Sequence, residues 1–381
     1  MTTTAATAAA HASAPGAASR HIGLIIDGLA GGGAEKVVLT LAEAFAARGH
    51  RVTLVSLRDE QAYSLPPGVD YLLLPDTYRG PLHRLGEVGR RARALHDALT
   101  KRFGARPFDL VISNLPKTDR IVAATPCLGH AWFCLHGAVA QTRLAGKRGI
   151  KRWLKQRQLL GTYDRRRLIA VSNGVARDIV ESGRVRPAEL VTIPNPFDLD
   201  AIRRQAQRPC PLDGEAFVLH VGRFHAVKRH DRLFGALLAS GFDGRLVLLG
   251  NGSAEQKARL VAQCRELGLQ DRVVFAGFTA NPFPYMRAAR ALILSSDSEG
   301  FGNTLVEALA CGTPVASTRC LGPQDIMVGE LARGLADFND IALGAALKSV
   351  LEDPPEPGSE TLARYALDRV VDRYLELVPA Q

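Results

Sequence analysis

Short apolar runs alternate with helix-period stretches along nearly the whole chain. The first run, at residues 21–27 (His-Ile-Gly-Leu-Ile-Ile-Asp), reads as a buried strand. Gly28 and then Gly31-Gly32-Gly33 follow it. A helix is expected from near Ala34, with Val37 or Val38, Leu41 and Phe45 on one face and a stop at Gly49. Residues 52–57 give the next strand, so the chain opens as a strand–helix–strand unit of the doubly wound α/β type. Further strand-like runs fall at 71–74, 109–113, 131–135 and 168–172. The second half restarts the same alternation, with strands expected at 217–221, 245–249, 272–275, 291–294 and 314–317.

Two such alternations predict two facing Rossmann-like domains with a ligand cleft at the C-terminal ends of their strands. The boundary is expected close to Asn195, where Val191-Thr-Ile-Pro194-Asn195-Pro196 runs into a proline-stiffened link and the low-complexity residues 205–211. This divides the chain into a tail at 1–20, a first domain at 21–195, a second at 196–358 and a closing segment at 359–381. That last segment places Leu367, Val370, Val371, Tyr374, Leu375 and Val378 at i, i+3, i+4, i+7, i+8 and i+11. Such a helix could pack on either domain.

A chain of 381 residues is long enough for two cores, and its 46% apolar and 6% aromatic content fit a soluble globular protein. No apolar run approaches the roughly 20 residues of a membrane span. Residues 1–20, mostly Ala, Thr and Ser, lack early positive charge and a Leu or Val core, so they read as a disordered tail rather than a signal peptide. The six cysteines are scattered without CxxC spacing, which points away from zinc and from a disulfide framework, and toward reduced thiols in the cytoplasm.

Charge changes the picture more. The net charge is +10, but Arg143 to Arg167 alone holds ten Lys/Arg against one Asp, and Arg79 to Arg106 holds eight against Glu87 and Asp97. Those local balances of +9 and +6 exceed the total, so the excess lies in the first half and the remainder is acidic. Between Lys147 and Leu160, Ile150, Trp153 and Leu154 share one helical face among the cations. The pattern suits an anionic membrane surface, or a surface helix packed on its own domain. Nucleic acid ranks below both, because no helix-turn-helix, zinc module or aromatic-interleaved basic motif is present.

The candidate chemistry gathers at strand ends. Glu299-Gly-Phe-Gly-Asn-Thr-Leu-Val-Glu307 follows the 291–294 run, turns through Gly300 and Gly302, and enters a helix that Gly312 and Pro314 stop. A strand, a glycine turn and a helix N-terminus form an anion site, and the two carboxylates beside it suit hydroxyl groups. Arg223 and Lys228 follow the 217–221 strand and could neutralise a diphosphate. Leu249-Gly250-Asn251-Gly252 is a similar strand-end turn, and Phe275 to Phe278 with Asn281-Pro-Phe-Pro-Tyr285 could meet a base. His136, after the 131–135 run, is the first half's acid/base or sugar-contacting candidate; Asp27 and Asn114 also sit at strand ends. Asp198-Leu-Asp200 has the form of a metal motif but reads as a helix cap, and no strong metal site is visible. The opening glycines lack GxGxxG and no acid ends the second strand, which disfavours a nicotinamide cofactor.

Gly31-Gly-Gly-Ala-Glu35-Lys, Val171-Ser-Asn-Gly, Ile193-Pro-Asn-Pro, Gly222-Arg-Phe with Lys228, Leu249-Gly-Asn-Gly and the spaced pair Glu299 and Glu307 together resemble a retaining glycosyltransferase of family 4. The resemblance runs from about His21 to about Val378 and implies the GT-B fold. It implies that Arg223 and Lys228 bind the donor diphosphate, Glu307 the ribose and Glu299 the transferred sugar. The amides around Gly302, Asn303 and Thr304 would take phosphate oxygens, with Asn251 in the wall of the nucleotide pocket. Gly32 and Gly33 would approach donor and acceptor, His136 would stand near the reacting sugar, and the last helix would cross back to the first domain. No cofactor and no metal are implied. The expected reaction moves a hexose or N-acetylhexosamine from a nucleotide sugar, UDP-linked, to a lipid-linked saccharide at the inner face of the cytoplasmic membrane. A GT-B sugar-nucleotide epimerase, a sugar-phosphate transferase and a non-catalytic nucleotide-sugar-binding subunit are the alternatives.

Overall fold

The computed structural model describes residues 19–78 and 86–378. The expected disordered tail lies outside the described residues except for its last two positions, as do 79–85 of the first basic segment. The strands β1 (His21–Ile26), β2 (Arg51–Ser56), β3 (Val69–Leu73), β4 (Leu110–Asn114), β5 (Trp132–Leu135), β6 (Arg167–Ala170) and β7 (Glu189–Thr192) form one sheet in the order β3-β2-β1-β4-β5-β6-β7. A second sheet holds β8 (Phe217–Val221), β9 (Arg245–Leu249), β10 (Val273–Gly277), β11 (Ala291–Leu294), β12 (Val315–Thr318) and β13 (Leu335–Ala336), in the order β10-β9-β8-β11-β12-β13. Every recorded pairing within both sheets is parallel. These are two Rossmann-like domains of the GT-B arrangement.

Parallel sheets carry helices on both faces, so their inner strands are apolar throughout rather than alternating. Ile22, Leu24, Ile25 and Ile26 of β1 and Val218 and Leu219 of β8 are wholly buried. That is why the runs were legible as strands. The two-residue edge strand β13 carries no such run, and hydrophobic pattern did not reveal it. In each sheet the strand order reverses at its first strand: β1 lies between β2 and β4, and β8 between β9 and β11. Such switch points open crevices at the strands' C-terminal ends.

The closing segment is two helices, Ser359–Ala363 and Leu367–Leu375, rather than one. The break has a backbone cause: Phe197 N–H donates to the Tyr365 carbonyl and Leu367 N–H to the Phe197 carbonyl, both at 2.9 Å, which diverts these groups from a continuous helix. The second helix packs on the first domain. The Tyr374 ring meets Phe45 edge-on at 6.3 Å, and Arg48 pairs with Asp368 at 2.9 Å and Asp372 at 2.5 Å.

The basic helix runs Gly149–Tyr163 and buries Leu159, Thr162 and Tyr163. Ile150, Trp153 and Leu154 face outward instead, 73%, 55% and 53% exposed. Among the described residues, no helix is long and apolar enough to cross a membrane.

Candidate active site

The second domain's half of the site is built by turns that leave β8, β9 and β11. After β11 the chain bends through Glu299 to Gly302 and enters the helix Asn303–Ala310. Gly302 sits at φ 100°, a left-handed conformation that a side chain would strain. No side chain caps this helix, so its first-turn amides remain available to an anion. Glu299 is already engaged: its Oε1 accepts from Lys228 Nζ at 2.7 Å and from Ser296 Oγ at 2.6 Å. Lys228 arrives on the short turn Ala226–Lys228 beyond β8. Arg223, exposed, stands earlier in the same connection. Asn251, also exposed, accepts from Phe224 N–H at 2.8 Å through its carbonyl, tying the turn after β9 to the turn after β8.

Glu307 is buried one turn into the helix, and its Oε1 meets Lys36 Nζ at 2.8 Å. Lys36 belongs to the helix Gly33–Ala47 of the first domain, so this ion pair crosses the cleft. Its ammonium also stands 5.4 Å from the centre of the Phe283 ring. Nearby, Asn195 Nδ2 donates to Asn303 Oδ1 at 2.7 Å, and a Cβ built on Gly33 would lie 3.4 Å from Asn303 Nδ2. The glycine loop of the first domain therefore meets the first turn of the helix Asn303–Ala310 of the second. Thr304 is half-buried in that turn, and Gly32 offers its carbonyl to Tyr63 Oη at 3.5 Å. Burial pushes the Tyr63 phenol up, with Lys36, Glu35, Glu307 and Arg223 all near enough to act on it.

His136 supplies the facing wall. It follows β5, and its backbone rests on the turn of the second domain: a Cβ on Gly300 would lie 2.1 Å from the His136 carbonyl oxygen. Any side chain at 300 would push the domains apart. Ser172 Oγ fastens the same point by donating to the Gly300 carbonyl at 2.8 Å. The His136 ring is 2.9 Å from Asn114 Oδ1 through Nε2, and burial lowers its pKa to about 4. Further along the edge, Asp27 pairs with Arg58 at 2.6 Å, with Arg91 and Lys117 at 3.9 and 4.0 Å.

Glu299, Lys228, Glu307, Gly33, Asn303 and the His136 backbone thus converge on one seam, with Arg223 and Asn251 in adjoining turns. Asp198 caps the helix Leu199–Ala206 by accepting from Ala201 N–H at 2.7 Å. Among the described residues, no three His, Cys, Asp or Glu stand together as a metal set. Sequence reading did not single out Lys36, Tyr63, Ser172 or Asn195 as site residues. Lys36, Ser172 and Asn195 lie inside sequence motifs, but only the fold shows which groups they face; Tyr63 carries no sequence signal. Chemically, the seam offers cations and free amides to a phosphate and carboxylates to hydroxyls.

Comparison with known proteins agrees with this geometry. Residues 31–201 match the family described as Glycosyltransferase Family 4, and residues 203–368 match Glycosyl transferases group 1. The chain is 27% identical over 339 residues to a Campylobacter jejuni N-acetylgalactosamine-N,N'-diacetylbacillosaminyl-diphospho-undecaprenol 4-alpha-N-acetylgalactosaminyltransferase, an alignment covering 88% of this chain and 91% of that protein. It is 33% identical over 182 residues to the lipopolysaccharide 1,6-galactosyltransferase of Escherichia coli K12, where the match takes in 46% of this chain and about half, 49%, of the relative. Among solved structures, Anabaena Alr3699/HepE in complex with UDP and glucose superposes with a TM-score of 0.73 at 19% identity, over 94% of this chain and 98% of that one.

Proposed function

The chain belongs to the two-domain GT-B glycosyltransferases whose halves are the family 4 and group 1 modules, and from that premise we propose that it acts in the assembly of a lipid-linked or lipopolysaccharide glycan. It transfers a hexose or N-acetylhexosamine from a nucleotide sugar, UDP-linked, to a hydroxyl of a lipid-linked saccharide, with retention and without a metal. The observation that carries this reading is the seam where the Glu299–Gly302 turn, the Lys228–Glu299 pair at 2.7 Å and the His136 backbone meet.

In this reading the diphosphate lies over the open amides of Gly302, Asn303 and Thr304, flanked by Arg223 and Lys228. Glu307 accepts the ribose hydroxyls and gives up its contact with Lys36 to do so. Asn251 lines the nucleotide pocket, Gly32 and Gly33 let the first domain's backbone approach the donor, and Glu299 and His136 contact the transferred sugar. As the anomeric bond breaks, negative charge grows on the leaving diphosphate, where fixed cations and amides stabilise it more than in the ground state. The acceptor hydroxyl enters on the same face and passes its proton to the leaving phosphate, so no covalent enzyme nucleophile is needed.

The first domain takes the acceptor. Its exposed Ile150, Trp153 and Leu154, set among Lys147, Arg148, Lys151, Arg152 and Lys155, suit shallow insertion into an anionic bilayer, with the basic residues of 86–106 adding attraction. This would place the enzyme peripherally on the inner face of the cytoplasmic membrane. The test is a panel of UDP- and GDP-sugars with a lipid-diphosphate-saccharide acceptor, read by product mass. A single-sugar mass increment with one UDP-sugar supports the reading; conversion of donor without acceptor would favour an epimerase and overturn it.

A further inference from the structure

Lys228, whose ammonium meets Glu299, is followed by a residue in a conformation that its type disfavours. Arg229 has φ 48° and ψ 57°, a left-handed backbone that glycine adopts freely and a residue with a Cβ does not. It redirects the chain from the short turn Ala226–Lys228 into the helix His230–Ser240. A strained backbone of this kind persists only where its surroundings hold it. Here the side chain is held from two directions. Arg229 Nε and Nη2 donate to the Asp231 carboxylate at 2.9 and 2.6 Å, and Nη1 donates to Asp297 Oδ1 at 3.1 Å.

Asp297 lies two residues before Glu299, so it ties the guanidinium to the loop that carries that acid. The same loop also grips the turn by its backbone. Asp297 N–H donates to the Val227 carbonyl at 2.8 Å, and Ser295 Oγ donates to the Lys228 carbonyl at 2.7 Å. Buried Arg232 fixes the Asp297 carboxylate in turn, donating to its Oδ1 at 2.8 Å. We propose that Arg229 is a positioning residue: its guanidinium, clamped between Asp231 and Asp297, holds its own backbone left-handed and so keeps the Lys228 ammonium beside Glu299, where the diphosphate departs. Arg229 acts through Lys228 rather than on the substrate. The inference rests on the role of Lys228 in the proposed reaction.

The test compares Arg229→Ala with Arg229→Gly in the full chain, with folding of each checked by circular dichroism. Both lose the clamp, but only alanine still bears the cost of a left-handed Cβ. Arg229→Ala should lower kcat about fivefold or more while the donor KM moves less, and Arg229→Gly should recover most of that loss. Equal losses in the two would make the guanidinium itself the requirement and overturn the backbone role; full turnover in both would overturn it as well. Asp297→Ala gives a second reading that does not depend on alanine at 229. It should lower kcat in the native background and lower it less in the Arg229→Gly background, since the loss of the Arg232 contact is common to both. An equal loss in both would mean that Asp297 acts through Arg232, against the inference. Lys228→Ala, measured alongside, should lose more than Arg229→Ala. If it turns over normally, the reading of Lys228 falls and the inference with it. If it is impaired while alanine and glycine at 229 behave alike, only the inference falls.

Discussion

At the carboxyl edge of the second sheet, the functional groups come mainly from one stretch that turns back on itself: Ser296, Glu299, the amides at 302–304 and Glu307 lie within twelve residues of sequence. Lys228 completes that set from the neighbouring turn. At the edge of the first sheet, Asn114 ends β4 while Asp27, His136 and Ser172 follow β1, β5 and β6, and parallel pairing alone brings them side by side. The two edges also differ in kind. The second is charged, with Lys228 on Glu299 and open amides beside them, whereas the centre of the first is a neutral pair, His136 and Asn114. In the proposed reaction a local strand–turn–helix supplies the charge stabilisation of the leaving group, while the orientation of donor and acceptor depends on the sheet as a whole.

The sharpest way to break that division is to remove charge from the second edge. Arg223→Ala should lower kcat by about 10²–10³ with the fold intact, the loss typical of one electrostatic contact to a developing charge. A folded variant that turns over normally removes Arg223 from the mechanism. Glu307→Ala should act on binding instead, raising the donor KM by roughly tenfold or more, since a hydrogen bond to an ionised group contributes about 1.5–3 kcal/mol. Titration calorimetry with UDP reports it; unaltered affinity would mean that Glu307 serves only Lys36.

Replacing Ile150, Trp153 and Leu154 together by Ser should weaken sedimentation with anionic vesicles by about tenfold or more while donor binding holds, because each exposed apolar side chain contributes on the order of 1–2 kcal/mol when inserted. Equal vesicle binding by this variant would leave the helix without a membrane role. Acid should act on the neutral, buried imidazoles. Burial lowers His136 to about 4, His220 to about 3 and His230 to about 4. Their unfolded forms take up protons first as pH falls below about 6.5, so the stability they contribute is present above that value and drains away toward pH 4. Asp119, raised by burial to about 7, works in the opposite sense, but the three histidines outweigh one carboxyl. Tm should therefore fall between pH 6.5 and 4, and a flat profile would contradict the buried, neutral assignment. Smallest of all, Lys36→Met should shift donor affinity by less than about fivefold, as an ion pair with one half-exposed partner contributes about 0–1 kcal/mol.

Much of the fold was legible because parallel strands covered on both faces are short apolar runs, as at 21–26, 217–221 and 291–294. The second edge was legible for a related reason: Glu299, Gly302 and Glu307 carry their geometry in local spacing. The first edge was less so. Asn114 and His136 are 22 residues apart, and nothing in either neighbourhood announces that their side chains meet. Lys36 and Glu307 are 271 residues apart, and Asn195 and Asn303 are 108. Such pairs exist only once two domains face each other. The outward turn of Ile150, Trp153 and Leu154 was likewise ambiguous in the sequence, since periodicity gives a face but not what the face meets.

Transfer with retention is read from the anomeric linkage of the product. The full chain would be incubated with its preferred UDP-sugar and a lipid-diphosphate-saccharide acceptor, and the new glycosidic bond examined by proton coupling at its anomeric carbon. Release of UDP, addition of one sugar to the acceptor and a linkage of the same anomeric configuration as the donor are expected. An inverted linkage, or no transfer to a saccharide from any nucleotide sugar, would contradict the proposed reaction.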